Sequence, residues 1–465
     1  MLIRRAEVEG RLLDVRIREG RIAALEPTLA LEPGEPALDA EGGALLPGLH
    51  DHHLHLFALA AAAASLRCGP PEVHTRSQLA HALATAPESD WIRGIGYHDS
   101  VAGALERRAL DSLTGTRPVR IQQRSGALWL LNSAAIAALG LDAGADHSGV
   151  ERDANGRATG RLYRADAWLR ERLGPAAPPN LAAVGARLAS YGVTGVSDAT
   201  PTNGAVELLA FTRAVERGEF RQQLVVMGRP DLPEPSLPGI TRGAVKLVLA
   251  EHDLPGLDAL QAEIESGHAG GRALAIHCVT RSELLLATAA FAAAGARSGD
   301  RIEHASVAPD EAVEALAALP LSVVTQPGFL LERGDAYRRE VEARDLPWLY
   351  RCRGFLEAGV PLGGGTDAPF GSPDPWLAMQ AAVERRTRCG ATLGSGERLS
   401  PEQALALFSS APQAPGETPR RVAPGEPADL VLLDRPWSRA RERLEHGLVR
   451  ATLRAGAPIW SRDAG

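Results

Sequence analysis

Two patterns of apolar and polar positions divide the chain. Residues 1–47 contain LLDVRIREG, RIAALEP and GGALLPG, which alternate with period two, as strands do when one face is covered and the other is wet. The last fifty residues repeat this pattern in ADLVLLD and HGLVRATLRAG, so 1–47 and 416–465 are expected to form one small β-sandwich built from both termini. Between them, continuous apolar runs alternate with helix-like segments, the pattern of parallel strands buried on both faces. There are eight such runs: 48–56, 192–200, 221–228, 244–250, 273–280, 301–306, 321–327 and 361–369. Eight parallel strands close a barrel, so the predicted fold class is α/β, a (β/α)8 TIM barrel over 48–415.

Punctuation supports the helices between the runs. Pro309-Asp310-Glu311 starts EAVEALAAL, and Ser400-Pro401-Glu402-Gln403 places an N-cap serine, an N1 proline and an N3 glutamine in order. One stretch does not fit the alternation. More than a hundred residues separate the first two strands, with a strand of their own in PVRIQQRS and helices in LNSAAIAAL and RADAWLRERL. Residues 67–180 are therefore expected to be an α/β insertion domain, a common way to shape a pocket.

Composition narrows the partners. The net charge of -7 and the scatter of arginines among 57 acidic residues exclude a basic nucleic-acid-binding face. Cys68, Cys278, Cys352 and Cys389 form no C-x-x-C pair, so reduced, buried thiols are expected instead of a disulfide framework or a thiolate metal site. MLIRRAEVEG lacks the apolar stretch of a signal peptide, and the run from Leu56 to Ser65 is too short to span a bilayer. The expectation is a cytoplasmic protein with a small-molecule substrate, no nucleic-acid or membrane partner, and a homodimer as the default assembly.

Among 50 basic residues one is lysine, Lys246, and it lies inside the apolar run Ala244-Val245-Lys246-Leu247-Val248-Leu249. Arginine serves wherever a surface cation is wanted, but only a desolvated lysine can give up its proton near neutral pH. A neutral, nucleophilic amine is one reading; a lysine retained by chance is the other.

Barrel enzymes place their chemistry at the C-terminal ends of strands, and five of the eight predicted strands carry a candidate there. The first carries His53 and His55, the fourth Lys246, the fifth His277, the sixth His304 and the eighth Asp367. Alternation sends His53 and His55 to one face and the rival pair His50 and His52 to the other. Singly, a strand histidine is more often a hydrogen-bonded core residue than a ligand. Several imidazoles, a carboxylate and an amine converging at one barrel end would be costly unless paired or metal-bound. Imidazole and carboxylate suit zinc, though manganese and iron accept the same ligands. A neutral lysine amine can take up carbon dioxide as a carbamate, an anion with two oxygens able to bridge two ions.

The segment Pro47-Gly48-Leu49-His50-Asp51-His52-His53-Leu54-His55-Leu56, followed in order by Lys246, His277, His304 and Asp367, resembles the signature of the binuclear amidohydrolase superfamily. RIEHAS, VVTQPGFL and GGGTDAPFGSPDPW resemble the branch containing N-substituted formamide deformylases. The resemblance spans the chain. It implies two divalent ions, zinc first, with His53, His55 and Asp367 around one, His277 and His304 around the other, and a carbamate on Lys246 between them. It also implies a metal-bridging hydroxide that attacks a carbonyl, with the catalytic Asp367 moving the proton to the leaving amine.

Two positions depart from that branch: Ala127 stands where a histidine is usual, and Arg164 where G-x-L-x-E would place glutamate. The reaction type therefore carries over and the substrate does not. Tyr97, Trp129, Arg164 and Gln326 are candidates to line the pocket, and Asp198 to support a ligand from behind. The expected function is metal-dependent hydrolysis of a non-peptide carbon–nitrogen bond of amide, N-acyl or N-formyl type. Deamination or ester or lactone hydrolysis on the same site is the alternative, and a non-catalytic barrel homologue a remoter one.

Overall fold

The computed structural model describes residues 1–70, 72–87, 90–144, 147–174 and 178–464. The chain divides into two compact units, one of residues 1–59 and 180–465 and the other of residues 60–179.

Eight strands of the first unit form one parallel sheet in chain order: β1 (Leu49–Leu54), β2 (Val193–Asp198), β3 (Gln223–Gly228), β4 (Ile240–Val248), β5 (Leu274–Cys278), β6 (Arg301–His304), β7 (Ser322–Thr325) and β8 (Leu362–Gly364). β1, β2, β6, β7 and β8 are buried along their whole length, although β1 (LHDHHL) and β6 (RIEH) are largely polar. The sheet nearly closes on itself beyond β8, where Asp367 N donates to His53 O at 2.7 Å and His55 N to Ala368 O at 2.8 Å. The glycine run ending β8 permits this approach. A Cβ on Gly365 would lie 2.6 Å from His53 Cβ, and one on Gly364 2.8 Å from the Phe408 ring. Close packing accounts for these glycines.

Helices follow where caps predict them. Thr280 and Glu283 form a capping box ahead of Arg281–Ala294, and Ser400 and Gln403 another ahead of Pro401–Ala406. Trp376 in Pro375–Glu384 is fully buried and donates from Nε1 to Tyr191 O at 2.8 Å, tying that helix to the entrance of β2. Among the described residues no helix is long and apolar enough to cross a membrane.

The chain ends supply two four-stranded sheets. One orders Arg21–Glu26, Arg11–Arg18, Leu2–Val8 and Ala37–Asp39; the other orders Ala457–Ser461, Val449–Arg454, Leu430–Leu433 and Leu45–Pro47. Both feed one apolar cluster that includes Ile3, Val15, Ile17, Leu430, Leu432 and Leu453. The second unit has a six-stranded sheet of Val150–Arg152, Ala158–Tyr163, Leu128–Leu131, Val119–Gln123, Ile92–Tyr97 and Leu66–Arg67, in that order. Cys68, Cys278 and Cys352 are buried, but Cys389 is exposed, contrary to the expectation of four buried thiols, because it sits in a polar turn after Pro375–Glu384.

Leu453→Ala would empty a fully buried position between the terminal sheets and is expected to cost about 2–5 kcal/mol by urea unfolding. A cost below about 1 kcal/mol would mean that the two sheets do not depend on a common core.

Candidate metal centre

Four imidazoles line up at the C-terminal end of the parallel sheet. Ring centroids are 5.5 Å apart for His53 and His55, 4.7 Å for His53 and His304, and 4.4 Å for His277 and His304. Asp367 Oδ1 lies 3.2 Å from His55 Nε2 and 3.6 Å from His53 Nε2. The ligand atoms of His53, His55 and Asp367 all fall within 4.8 Å of one another, close enough to share an ion. Across β1, His50 and His52 turn the other way: His50 Nε2 meets Ser197 Oγ, and His52 Nε2 meets Ser410 Oγ, each at 3.0 Å.

Three of the four imidazoles are oriented from behind. His53 Nδ1 donates to Glu303 Oε2, His55 Nδ1 to Thr200 Oγ1 at 2.9 Å, and His304 Nδ1 to Gln326 Oε1 at 2.7 Å. This leaves each Nε2 as a lone pair aimed at the centre, the tautomer a metal ligand needs. Asp198 steadies this wall by accepting from Leu56 N, Thr200 N and Asn203 Nδ2 at 2.7–3.0 Å. Asp51 Oδ1 accepts from His53 N and Thr366 N, and its Oδ2 from Thr366 Oγ1, joining β1 to the segment after β8. Burial pushes the Asp51 carboxyl up to about 7 despite these bonds.

Lys246, in β4, is buried, and its Nζ has no hydrogen-bond partner; Glu303 Oε1 is 3.9 Å away. Glu303 is shared, since Arg301 Nε also donates to it. Burial, opposed by Glu303 and reinforced by Arg301, lowers the amine to about 8. Burial likewise depresses His53 and His304, and with Lys246 beside it takes His277 down to about 4. Burial acts to raise Asp367, but His55, His53 and His304 outweigh it and hold the carboxylate well below its usual range.

Three buried polar atoms here have no hydrogen-bond partner: Lys246 Nζ, His304 Nε2 and Asp367 Oδ1. Lys246 is on β4 and His304 on β6, Asp367 follows β8, and the charges of Lys246 and Asp367 both act on His304. That donor set, neutral imidazoles with a carboxylate, fits divalent cations. The backbone is bent for it, because His304, Ala305 and Asp367 adopt φ of 69°, 45° and 53°, a region that non-glycine residues hold at a cost of about 1–3 kcal/mol each.

Of the side chains expected to line a pocket, Gln326 belongs here, as the acceptor for His304. Tyr97, Trp129 and Arg164 lie in the second unit. Tyr97 is buried with its hydroxyl donating to Gly103 O at 2.5 Å, Trp129 is buried with Nε1 donating to Asp166 Oδ1 at 3.1 Å, and Arg164 is exposed. Spacing did not single out Glu303, Thr200 or Asp51, although Glu303 precedes His304 in RIEHAS and so falls on the opposite parity. It also did not single out Phe370, half exposed, whose ring meets His55 edge-on at 5.6 Å. Val248, the register partner of His277, and Val279, two residues beyond it, are also exposed.

A model of the amidohydrolase family matches residues 37–460. The chain belongs to that family. Its members are typically metal-dependent hydrolases, in keeping with the cluster at His53, His55 and Asp367. The chain is 26% identical to the N-substituted formamide deformylase of Arthrobacter pascens over 486 aligned positions, covering 90% of each. In fold it resembles an uncharacterized metal-dependent hydrolase from Pyrococcus furiosus, with a TM-score of 0.75 at 21% identity over 93% of this chain and 98% of that one. It also resembles N-isopropylammelide isopropylaminohydrolase from Burkholderia multivorans, with a TM-score of 0.55 at 19% identity over 100% and 98%.

Gln326→Leu removes the acceptor that fixes the His304 tautomer and is expected to weaken divalent-metal binding by about 10–100-fold, measured by titration of the metal-stripped protein. Unchanged affinity would show that His304 needs no support. A second expectation concerns pH. Unfolded histidines protonate near 6.5, whereas His277 stays neutral down to about 4, so over that interval the unfolded state binds more protons. The metal-free chain should therefore lose stability as pH falls from about 6.5 to about 4, with a smaller slope in His277→Asn. Equal slopes in the two proteins would contradict this.

Proposed function

We propose that the chain is a divalent-metal-dependent hydrolase of a non-peptide carbon–nitrogen bond, of amide, N-acyl or N-formyl type. The observation that carries this reading is the set of buried atoms without partners, Lys246 Nζ on β4, His304 Nε2 on β6 and Asp367 Oδ1 just after β8. His53, His55 and Asp367 would hold one ion, His277 and His304 a second, and Lys246 as a carbamate would join them. When bound, two such ions supply Lewis acidity toward a carbonyl and acidify water toward neutral pH.

The protein's own side chains do the rest. Glu303, Thr200 and Gln326 keep His53, His55 and His304 in one tautomer each, so no proton competes for the inward lone pairs. Asp367, held as the carboxylate by its histidine neighbours, accepts the proton of the attacking water and returns it to the leaving nitrogen as the carbon–nitrogen bond breaks. The products are a carboxylic acid and an amine. Phe370, exposed and edge-on to His55, favours an apolar group beside the scissile bond. The similarity to an enzyme named for N-substituted formamides supports the reaction type.

Two measurements test this. A panel of N-formyl, N-acyl and cyclic amides should include at least one that the metal-loaded protein hydrolyses with release of free amine; no turnover of any class together with no bound divalent ion would sink the reading. Lys246→Ala is expected to lower that activity by more than the about 100-fold typical of losing a supporting side chain, with partial recovery on adding a small carboxylate. Full activity without the carboxylate would rule out a bridging role for Lys246.

A further inference from the structure

The second unit holds two arginines, Arg93 and Arg120, for which no salt bridge is found among the described residues. Arg93 in Ile92–Tyr97 and Arg120 in Val119–Gln123 are register partners on adjacent parallel strands, so their side chains leave one face of the sheet side by side. Their Cζ atoms stand 5.9 and 5.5 Å from the centre of the Trp129 ring, which belongs to the next strand in the sheet. Like charges placed opposite one another in a sheet repel, and both guanidinium groups are partly buried. Burial first, and Arg93 second, pull Arg120 down to about 10.

Compensation is incomplete. Arg93 Nη1 donates to Ala61 O at 2.7 Å and to Ser65 Oγ. Arg120 Nε is buried with no acceptor. The carboxylate acting on both arginines is Asp166, whose Oδ1 already accepts from Trp129 Nε1 at 3.1 Å and Gln122 Nε2 at 3.3 Å; among the described residues it comes within 4 Å of neither guanidinium. One arginine would be enough to cover the Trp129 ring by cation–π contact. The second adds repulsion and an unsatisfied donor, and a fold that needed only a packed face would place an apolar residue there.

We propose that Arg93 and Arg120 form an oxyanion site in the second unit that takes the carboxylate or phosphate group of a small molecule. Guanidinium donors match both groups in the bidentate manner that ammonium does not, and in-register arginines present two such forks to one anion. The site stands apart from the hydrolytic reading, because it uses none of the histidines or Asp367.

The test uses the full-length protein at constant ionic strength, with chloride replaced stepwise by acetate or by inorganic phosphate. The melting temperature of the wild type should rise saturably with one of them, on the order of a few degrees at a hundredfold excess over the dissociation constant, and the anion that acts distinguishes carboxylate from phosphate. Arg120→Leu should lose the response and, in chloride alone, should melt no lower than the wild type, because an unpaired buried charge has been removed. Arg120→Gln, which keeps a polar side chain, should also lose the response. No saturable response to either anion in the wild type, or an equal response in both variants, would overturn the proposal.

Discussion

Placing a lysine amine inside a barrel, beside an arginine and next to a row of imidazoles, sacrifices solvation that nothing in the apolar wall restores. Lys246 Nζ has no acceptor, and Glu303, the carboxylate within 4 Å of it among the described residues, is already bonded to His53 and Arg301. The same burial that strands the amine also lowers it to about 8, so a substantial neutral fraction exists near physiological pH. Carbamate formation would turn the stranded cation into an anion among neutral imidazoles, reversing the local electrostatics in favour of divalent ions.

The surrounding fold is organised to keep that centre rigid. Asp51 and Gly365 bring β1 against the end of β8, which sets Asp367 opposite His53 and His55. Left-handed backbone at His304 and Asp367 turns both side chains inward at a local energetic cost that neighbouring packing must offset. Each oriented imidazole takes its support from a different element: Glu303 on β6, Thr200 after β2, Gln326 after β7. A disturbance at Thr200 or Gln326 would therefore reach one ligand, whereas one at Glu303 would reach both His53 and Lys246.

Much of this was legible in the chain. Short runs without a period-two alternation, spaced by helix-like segments, marked the eight parallel strands, since a strand buried on both faces has no reason to alternate. Parity separated His53 and His55 from His50 and His52, because in a strand a shift of one residue changes face. What escaped was of another kind. Glu303 reaches His53 from β6, Thr200 reaches His55 from the segment after β2, and Asp51 ties β1 to Thr366, and strand order does not say which polar residues meet in depth. Tyr97 and Trp129 looked like pocket residues because aromatic residues in an inserted segment often are; here their polar atoms are bonded within their own unit. The exposed Phe370 follows the Asp367 turn, and only the three-dimensional course of that turn brings its ring to His55.

The central claim is that Lys246 works as a carbamate and not as a cation. With one lysine in the chain, carbon-13 NMR of metal-loaded protein prepared in labelled bicarbonate addresses it without ambiguity. The account predicts a single slowly exchanging carbamate resonance, absent from Lys246→Arg and lost together with the metal on chelation. A metal-loaded, hydrolytically active protein with no such resonance would contradict it.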